Sequence, residues 1–353
     1  MSSITIYDVA RRAGVSIKTV SRVMNREHVR ASTREKVLAV ASELGYSPNL
    51  SARSLAGARS FVLTVLVDAS LTLDHWSSGH GADYLTRIQL GATLPCRDAG
   101  YHLMLELIDH DAPRVESEVN AMLSTLKPDG VILTPPSSDN ETVIDLIRKS
   151  QTPFVRIGAA SRLSGGLRIE LDDRGAAFEM TTALIGLGHQ RIGFITGDSR
   201  YAASHARRDG YVAAMRDKGL AVDADWIQQG DFTFQSGFEA ARRLLALERR
   251  PTAIFASNDD MALGCIAAAD EAGLVLPTEL SVAGYDDNSA AKFSRPTLST
   301  IRQPLVELAA ASARALISGD VTAGSDADAA FKPMPTFHLV MRQSTAELKD
   351  PSN

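Results

Sequence analysis

Cysteine is nearly absent: 353 residues hold two, Cys96 and Cys265, each in a helical context with no ligating neighbours. That excludes a disulfide framework and a thiolate metal centre, and predicts a reducing, cytoplasmic setting. Long apolar runs are also missing. None approaches the roughly 20 residues of a membrane helix. The opening MSSITIYDVARRAG has no apolar signal core, so neither a membrane partner nor export is expected. The closing LVMRQSTAELKDPSN lacks apolar heptads, which excludes a terminal coiled coil and leaves a homodimer as the expected assembly. No P-loop, no Ser/His/Asp set and no paired glycines after the first strand occur, so neither an enzyme nor a cofactor is expected.

What is present is an ordinary globular composition, 44% apolar and 22% charged, with an uneven charge. The net charge of −5 conceals a split. Residues 1–60 carry ten Lys/Arg against Asp8, Glu27, Glu35 and Glu43, a balance of +6, and the remainder balances at −11. A basic front on an acidic body confines any phosphate-attracting field to one end.

The front reads as three short helices. Thr5 caps Ile6–Ala13, with Asp8 meeting the helix dipole and Gly14 closing it. Ser16 opens Ile17–Met24, which Asn25 ends, and Ser32 or Thr33 caps Arg34–Leu44 ahead of Gly45. Two short helices across a Gly-containing turn are a helix-turn-helix, so residues 1–46 read as an all-α headpiece. On the second helix Ile17, Lys18 and Arg22 share a face opposite Val20 and Val23. Lys18 and Arg22 suit guanine edges, Ile17 suits thymine methyls, and Tyr7, Ser16, Thr19, Ser21 and Asn25 supply short donors for phosphates. Residues 47–59 follow as a hinge or linker. Pro48 fits the first turn of a helix over Asn49–Ala56 that is too short to hold alone. It either orders on DNA or a partner copy, with Leu55 as a minor-groove wedge, or remains a plain linker.

From Phe61 short apolar runs alternate with helical stretches. The strands expected are Phe61–Val67, Tyr101–Glu106, Val131–Leu133, Phe154–Ile157, Ile192–Thr196, Ala253–Ala256 and Ser281–Gly284. The helices between them are Asp83–Ala99, Arg114–Leu126, Glu141–Lys149, Arg174–Leu187, Ala206–Lys218, Gln235–Leu247 and Met261–Ala272. Such alternation predicts an α/β sensor of two doubly wound, parallel-sheet lobes over residues 60–345. Lobe 1 is expected over about 60–160 and 288–321, lobe 2 over about 161–287 and 322–345, and a tail over 346–353. The first crossing is expected at Gly158–Gly166; Asp320–Ala330 reads as a solvated loop or a second crossing. Ligands bind where strand ends face one another, which singles out Arg207, Asn258, Asp259 and Asp286. His189, at a helix-to-strand joint, reads as a structural cap.

The segments TIYDVARRAGVSIKTVSRVMN and YSPNLSARSLAG resemble the headpiece and hinge of the lactose/galactose-repressor (LacI/GalR) family. LGHQRIGFITG, ARRDGY, SNDDMALG, LSVAGYDD, STIRQP and LVMRQST look like that family's sensor segments in the same order, so the resemblance covers nearly the whole chain. It implies a ligand-regulated transcriptional repressor binding double-stranded, near-palindromic operator DNA as a dimer. Ile17, Lys18 and Arg22 would read bases, Ala52 and Leu55 would lie in the minor groove, and His28 and Asn49 would add contacts. The sensor would be periplasmic-binding-protein-like and take a small-molecule effector, most simply a sugar. Arg207, Asn258 and Asp286 would be its polar contacts, Phe232 its aromatic wall and Gln303 a contact from the first lobe. Two departures stand out. VDASLTLDHWSSGHGADYLT reads as a lengthened loop: Asp74, His75, His80 and Asp83 match no closed tetrahedral metal spacing, and Trp76 reads as a stacking platform or a lid or dimer-surface residue. Gly158 stands where some members carry a ligand-contacting carboxylate, and Arg156 either replaces that contact or pairs with an acid. A transport solute-binding protein would need a signal peptide and no basic headpiece, and an α/β enzyme would need a catalytic set in the cleft.

Overall fold

The computed structural model describes residues 4–24, 28–46, 59–79, 83–110, 113–161, 163–324 and 337–348. The hinge residues Asn49, Ala52 and Leu55, together with Asn25 and His80, lie outside the described residues. The chain divides into two compact units, Met1–Val62 with Leu126–Asp129, and Leu63–Thr125 with Gly130–Asn353.

In the first unit helices α1 (Ile6–Ala13), α2 (Ile17–Met24) and α3 (Ala31–Leu44) enclose a core of Val9, Ala10, Ala13, Val20, Val23, Val37 and Ala41. The Asp8 carboxylate accepts from Thr5 N at 3.0 Å and Thr5 Oγ1 at 2.7 Å, fixing the entry to α1. Gly14, at φ +62°, ends it. α3 begins at Ala31 after Arg30, so Ser32 and Thr33 stand in its first turn and are not its caps.

The second unit holds two sheets. The first has the order β2-β1-β3-β4-β5, built from β1 (Val62–Asp68), β2 (His102–Ile108), β3 (Gly130–Leu133), β4 (Phe154–Ile157) and β5 (Leu167–Ile169). The second has the order β7-β6-β8-β9, from β6 (Ile192–Thr196), β7 (Ile227–Gln229), β8 (Ala253–Ala256) and β9 (Ser281–Ala283), all parallel. Alternation divides the second sheet's faces. Ile195, Ile254 and Val282 pack under α10 (Phe234–Leu245) and α11 (Asp259–Glu271). Phe194, Phe255 and Ala283 pack under α8 (Asp173–Gly186) and α9 (Ala202–Asp217). Burial on both faces is why these strands read as unbroken apolar runs.

Three sequence expectations change here. The stretch after β1 is no long loop: Asp68 accepts from Leu71 N at 3.1 Å and caps helix α4 (Ala69–Ser78), and α5 (Asp83–Ala99) follows. The first crossing is not at Gly158–Gly166, because Leu167–Ile169 pairs with β4 in the first sheet; the chain leaves at Glu170–Asp172. The return begins later than residue 288. Ser299 and Arg302 bridge to Ala283 and Asp286, and β10 (Thr300–Arg302) pairs with β11 (His338–Val340) beside the second sheet. Only with α13 (Leu305–Ser318), packed on α5, does the chain re-enter the first lobe.

Candidate functional site

On the first unit, α2 presents the face read from the sequence. Ile17 is 41% exposed and Tyr7 62%, and Lys18, Arg22 and His28 are exposed, while Val20 and Val23 are buried behind them. Ser16 and Thr19 share a 2.8 Å hydroxyl contact, and Thr19 N donates to Ser16 Oγ at 3.1 Å, so Ser16 caps the helix as well as facing outward. Arg22 Nη2 donates to the His28 carbonyl at 2.9 Å. Ser21 is half-buried.

The second unit contains a cavity of about 120 Å³. Six of the seven residues singled out as effector contacts line it: Trp76, Arg207, Phe232, Asn258, Asp286 and Gln303. Asp259 does not. Its carboxylate is fully buried, accepts from Asn288 N at 2.7 Å and Thr300 Oγ1 at 2.5 Å, and lies where Gly284 has no side chain. An added Cβ on Gly284 would stand 2.3 Å from Asp259 Oδ1, so this aspartate is a clamp between β9 and β10, and Asp260 takes the place on the cavity wall.

Each lining residue is held by its element. Arg207, in the second turn of α9, donates from Nε to Asp173 Oδ1 at 2.8 Å and from Nη1 to the Ser257 carbonyl at 2.5 Å, with Cζ 3.6 Å from the Tyr285 ring centre. Asn258 caps α11 through Met261 N at 2.9 Å and donates to the Phe232 carbonyl at 2.8 Å, leaving one amide hydrogen unused. The Phe232 ring stands edge-on to Tyr201, at 5.4 Å, and lies where a Cβ on Gly197 would be 2.1 Å from its Cζ; only glycine allows that approach. Asp286 and Asp287 sit at φ +113° and +53°. Strain of this kind persists where surroundings over-determine it. Here Arg87 donates to both their carbonyls, Arg302 to Asp287 Oδ2 at 2.7 Å, and Arg342 to Asp287 Oδ1.

Gln303 Nε2 donates to Asp286 Oδ1 at 2.7 Å. Burial pushes the Asp286 carboxyl up to about 7, against Arg207 and the Gln303 hydrogen bond, which pull it down. The folded chain therefore keeps a proton that the unfolded chain releases near its ordinary 3.8. That contribution to stability is present below pH ~4 and is lost as pH rises through ~7. Urea titrations are expected to show the wild type losing stability relative to Asp286→Asn across that window; parallel curves for the two proteins would contradict it.

The sequence reading missed Asp68, Tyr84, Asp173 and Tyr201, all on the cavity wall. Asp68 is the last residue of β1, so the strand-end rule had a signal for it. Tyr201 OH donates to Asp68 Oδ2 at 2.9 Å, joining the two lobes. Arg156 is fully buried and off the cavity. It donates to Ser138, Ser161 and Leu163 carbonyls and lies 3.5 Å from Asp139, so it pairs with an acid. His189 ties Thr252, Ser281 and the Ala346 carbonyl together at 3.0–3.1 Å, a structural role. Among the described residues no group of three or more His, Cys, Asp or Glu could hold a metal, and no helix is long and apolar enough to cross a membrane.

A helix-turn-helix unit followed by a two-lobed, doubly wound unit with a cavity between its lobes defines a DNA-binding regulator with a small-molecule sensor. Residues 5–49 match the bacterial regulatory proteins of the lacI family, and residues 181–345 match the periplasmic binding protein-like domain. Catabolite control protein A of Priestia megaterium is 33% identical over 316 residues, covering 89% of this chain and 92% of that protein. Among solved structures, the lac repressor dimer bound to operator and the anti-inducer ONPF superposes with a TM-score of 0.78 at 27% identity, covering 98% of this chain and 100% of that one. The complex of the transcriptional regulator CelR with cellobiose gives 0.68 at 27%, covering 97% and 100%. This chain belongs to the lacI family of bacterial regulatory proteins: it is a DNA-binding transcriptional regulator.

Proposed function

We propose that the chain is a homodimeric, cytoplasmic repressor without catalytic activity, released from or held on its operator by a sugar bound in the cavity. The observation that carries the effector reading is a set of buried polar atoms. Asp68 Oδ1, His75 Nε2, Tyr84 OH and Gln303 Oε1 are all buried on the cavity wall with no hydrogen-bond partner among the described residues. A buried polar atom left unmet costs about 1–3 kcal/mol, so four at one site indicate that a ligand supplies the partners. Trp76, 49% exposed at the cavity, and Phe232 offer the ring faces on which a pyranose stacks. The cellobiose bound by CelR supports the same class.

On the headpiece, Ile17, Lys18 and Arg22 read base edges, Tyr7, Ser16, Thr19, Ser21 and Asn25 meet phosphates, and His28 adds a further DNA contact. Asn49, Ala52 and Leu55 complete the contact from the hinge. A thermal-shift screen of the full chain across sugars and nucleosides tests the effector, because a ligand at 100 times its Kd adds ~2.7 kcal/mol to stability. The expected hit is a sugar that also changes operator retardation in gels. A screen in which only purines raise the melting temperature sinks the sugar reading.

A further inference from the structure

Among the described residues five aspartates reach the cavity wall, Asp68, Asp83, Asp173, Asp260 and Asp286, against one lining arginine, Arg207. Arg207 is already spent as a charge. Its Nε lies 2.8 Å from Asp173 Oδ1 in a pair that is almost wholly buried, and Tyr285 OH donates to the same oxygen at 2.9 Å. Arg87 pairs with Asp83 at 2.8 Å from outside the lining, so both arginines are engaged by carboxylates.

The unmet atoms point the same way. Asp68 and Gln303 are each 4% exposed, and their free oxygens, Oδ1 and Oε1, are acceptors only. The orientation of the Gln303 amide is set by its bond to Asp286. Tyr84 OH and His75 Nε2 adapt to either role. Whatever fills the cavity must bring hydroxyl or amine hydrogens to Asp68 and Gln303, and a carboxylate or phosphate placed there would meet oxygen lone pairs.

We propose that this cavity selects its effector by charge, taking an uncharged, hydroxyl-rich ligand and rejecting the same skeleton once it carries a carboxylate or phosphate. The inference rests on the reading of the cavity as the effector site, and it narrows that reading to one chemical class. Selection comes chiefly from the unmet oxygens of Asp68 and Gln303. Arg200 lies 3.9 Å from Asp68 Oδ2, the oxygen that also accepts from Leu71 N and Tyr201 OH, which leaves Oδ1 for the ligand.

The test is calorimetric titration of the full chain with matched sets: glucose, glucuronate and glucose 6-phosphate; galactose, galacturonate and galactose 6-phosphate; cellobiose and cellobionate. In any set that binds, the uncharged member is expected to bind on the order of 100-fold more tightly than its anionic counterparts. Asp68→Asn, which keeps an oxygen for Leu71 N and Tyr201 OH, is expected to narrow that ratio about tenfold. The exposed Asp225→Asn leaves it unchanged. An anionic member binding within tenfold of its neutral counterpart overturns the proposal, and so does silence from every neutral member. Gel retardation of operator DNA in the same samples separates this inference from the broader reading. An anion that binds and alters DNA affinity defeats the charge rule alone; a neutral sugar that binds with no effect on DNA defeats the effector reading and leaves the charge rule standing.

Discussion

Arg207→Met is expected to cost the second unit about 3–5 kcal/mol, because breaking a buried pair strands the other charge. The arginine is 6% exposed and meets Asp173 at 2.8 Å, the Ser257 carbonyl at 2.5 Å and the face of Tyr285. Asp173 is 6% exposed and, without Arg207, keeps only the hydroxyl of Tyr285 for its Oδ1. Urea denaturation measures the loss. The double variant Arg207→Met with Asp173→Asn is expected to recover a large part of it, since the second change removes the stranded carboxylate. A single-variant loss under about 1 kcal/mol would mean that the pair is not the keystone of this wall. The double variant also separates two roles that one substitution confounds. If stability returns and sugar affinity does not, Arg207 contacts the ligand as well as holding Asp173.

A chain beginning at Ser60 is expected to lose operator binding by about 1,000-fold or more, which is the gap between specific and non-specific affinity. The cut removes the +6 end and retains Ser60 and Phe61, whose backbone amides donate to Asp129 at 2.7 and 3.0 Å. Sugar binding should survive unchanged. The DNA is a duplex selected from a random library by the full chain, and its retention is measured against salt, because phosphate contacts give a steep negative slope. Retention of that duplex by the shortened chain would move the DNA-binding surface off the headpiece. Within the full chain, Lys18→Ala is expected to cost ~1–3 kcal/mol at one position of the selected site.

The headpiece was legible because its signals are local. Thr5 with Asp8, Gly14 and Ser16 each act on neighbours within a few residues, and the structure keeps all of them. The central strands of the second unit were legible because both faces are buried, which writes Ile192–Thr196 and Ala253–Ala256 as continuous apolar runs. β5, β7, β10 and β11 have three residues each, too few for a period to show. Helix α4 was hidden for a different reason. Its sequence ASLTLDHWSS has no clear apolar stripe, and only Thr72 is buried, so its one strong signal was the capping aspartate at the strand end. Strand-end reasoning chose Asp259, whereas Asp260 lines the cavity. The room that holds the Asp259 carboxylate comes from Gly284, twenty-five residues away, which no local signal marks.

Neither lobe is a continuous stretch of chain. Val282 N donates to the Ser344 carbonyl at 2.8 Å, Ser344 Oγ returns to the Val282 carbonyl at 2.6 Å, and β11 closes on β10. During synthesis the basic headpiece emerges ahead of the sensor, whereas the second lobe is complete only once the chain through Ser344 has been made. A message cut short ahead of Ser344 would thus yield a protein able to attract DNA with no finished sensor to answer a ligand. Faithful completion of translation is a condition of control for this regulator, not only of its stability.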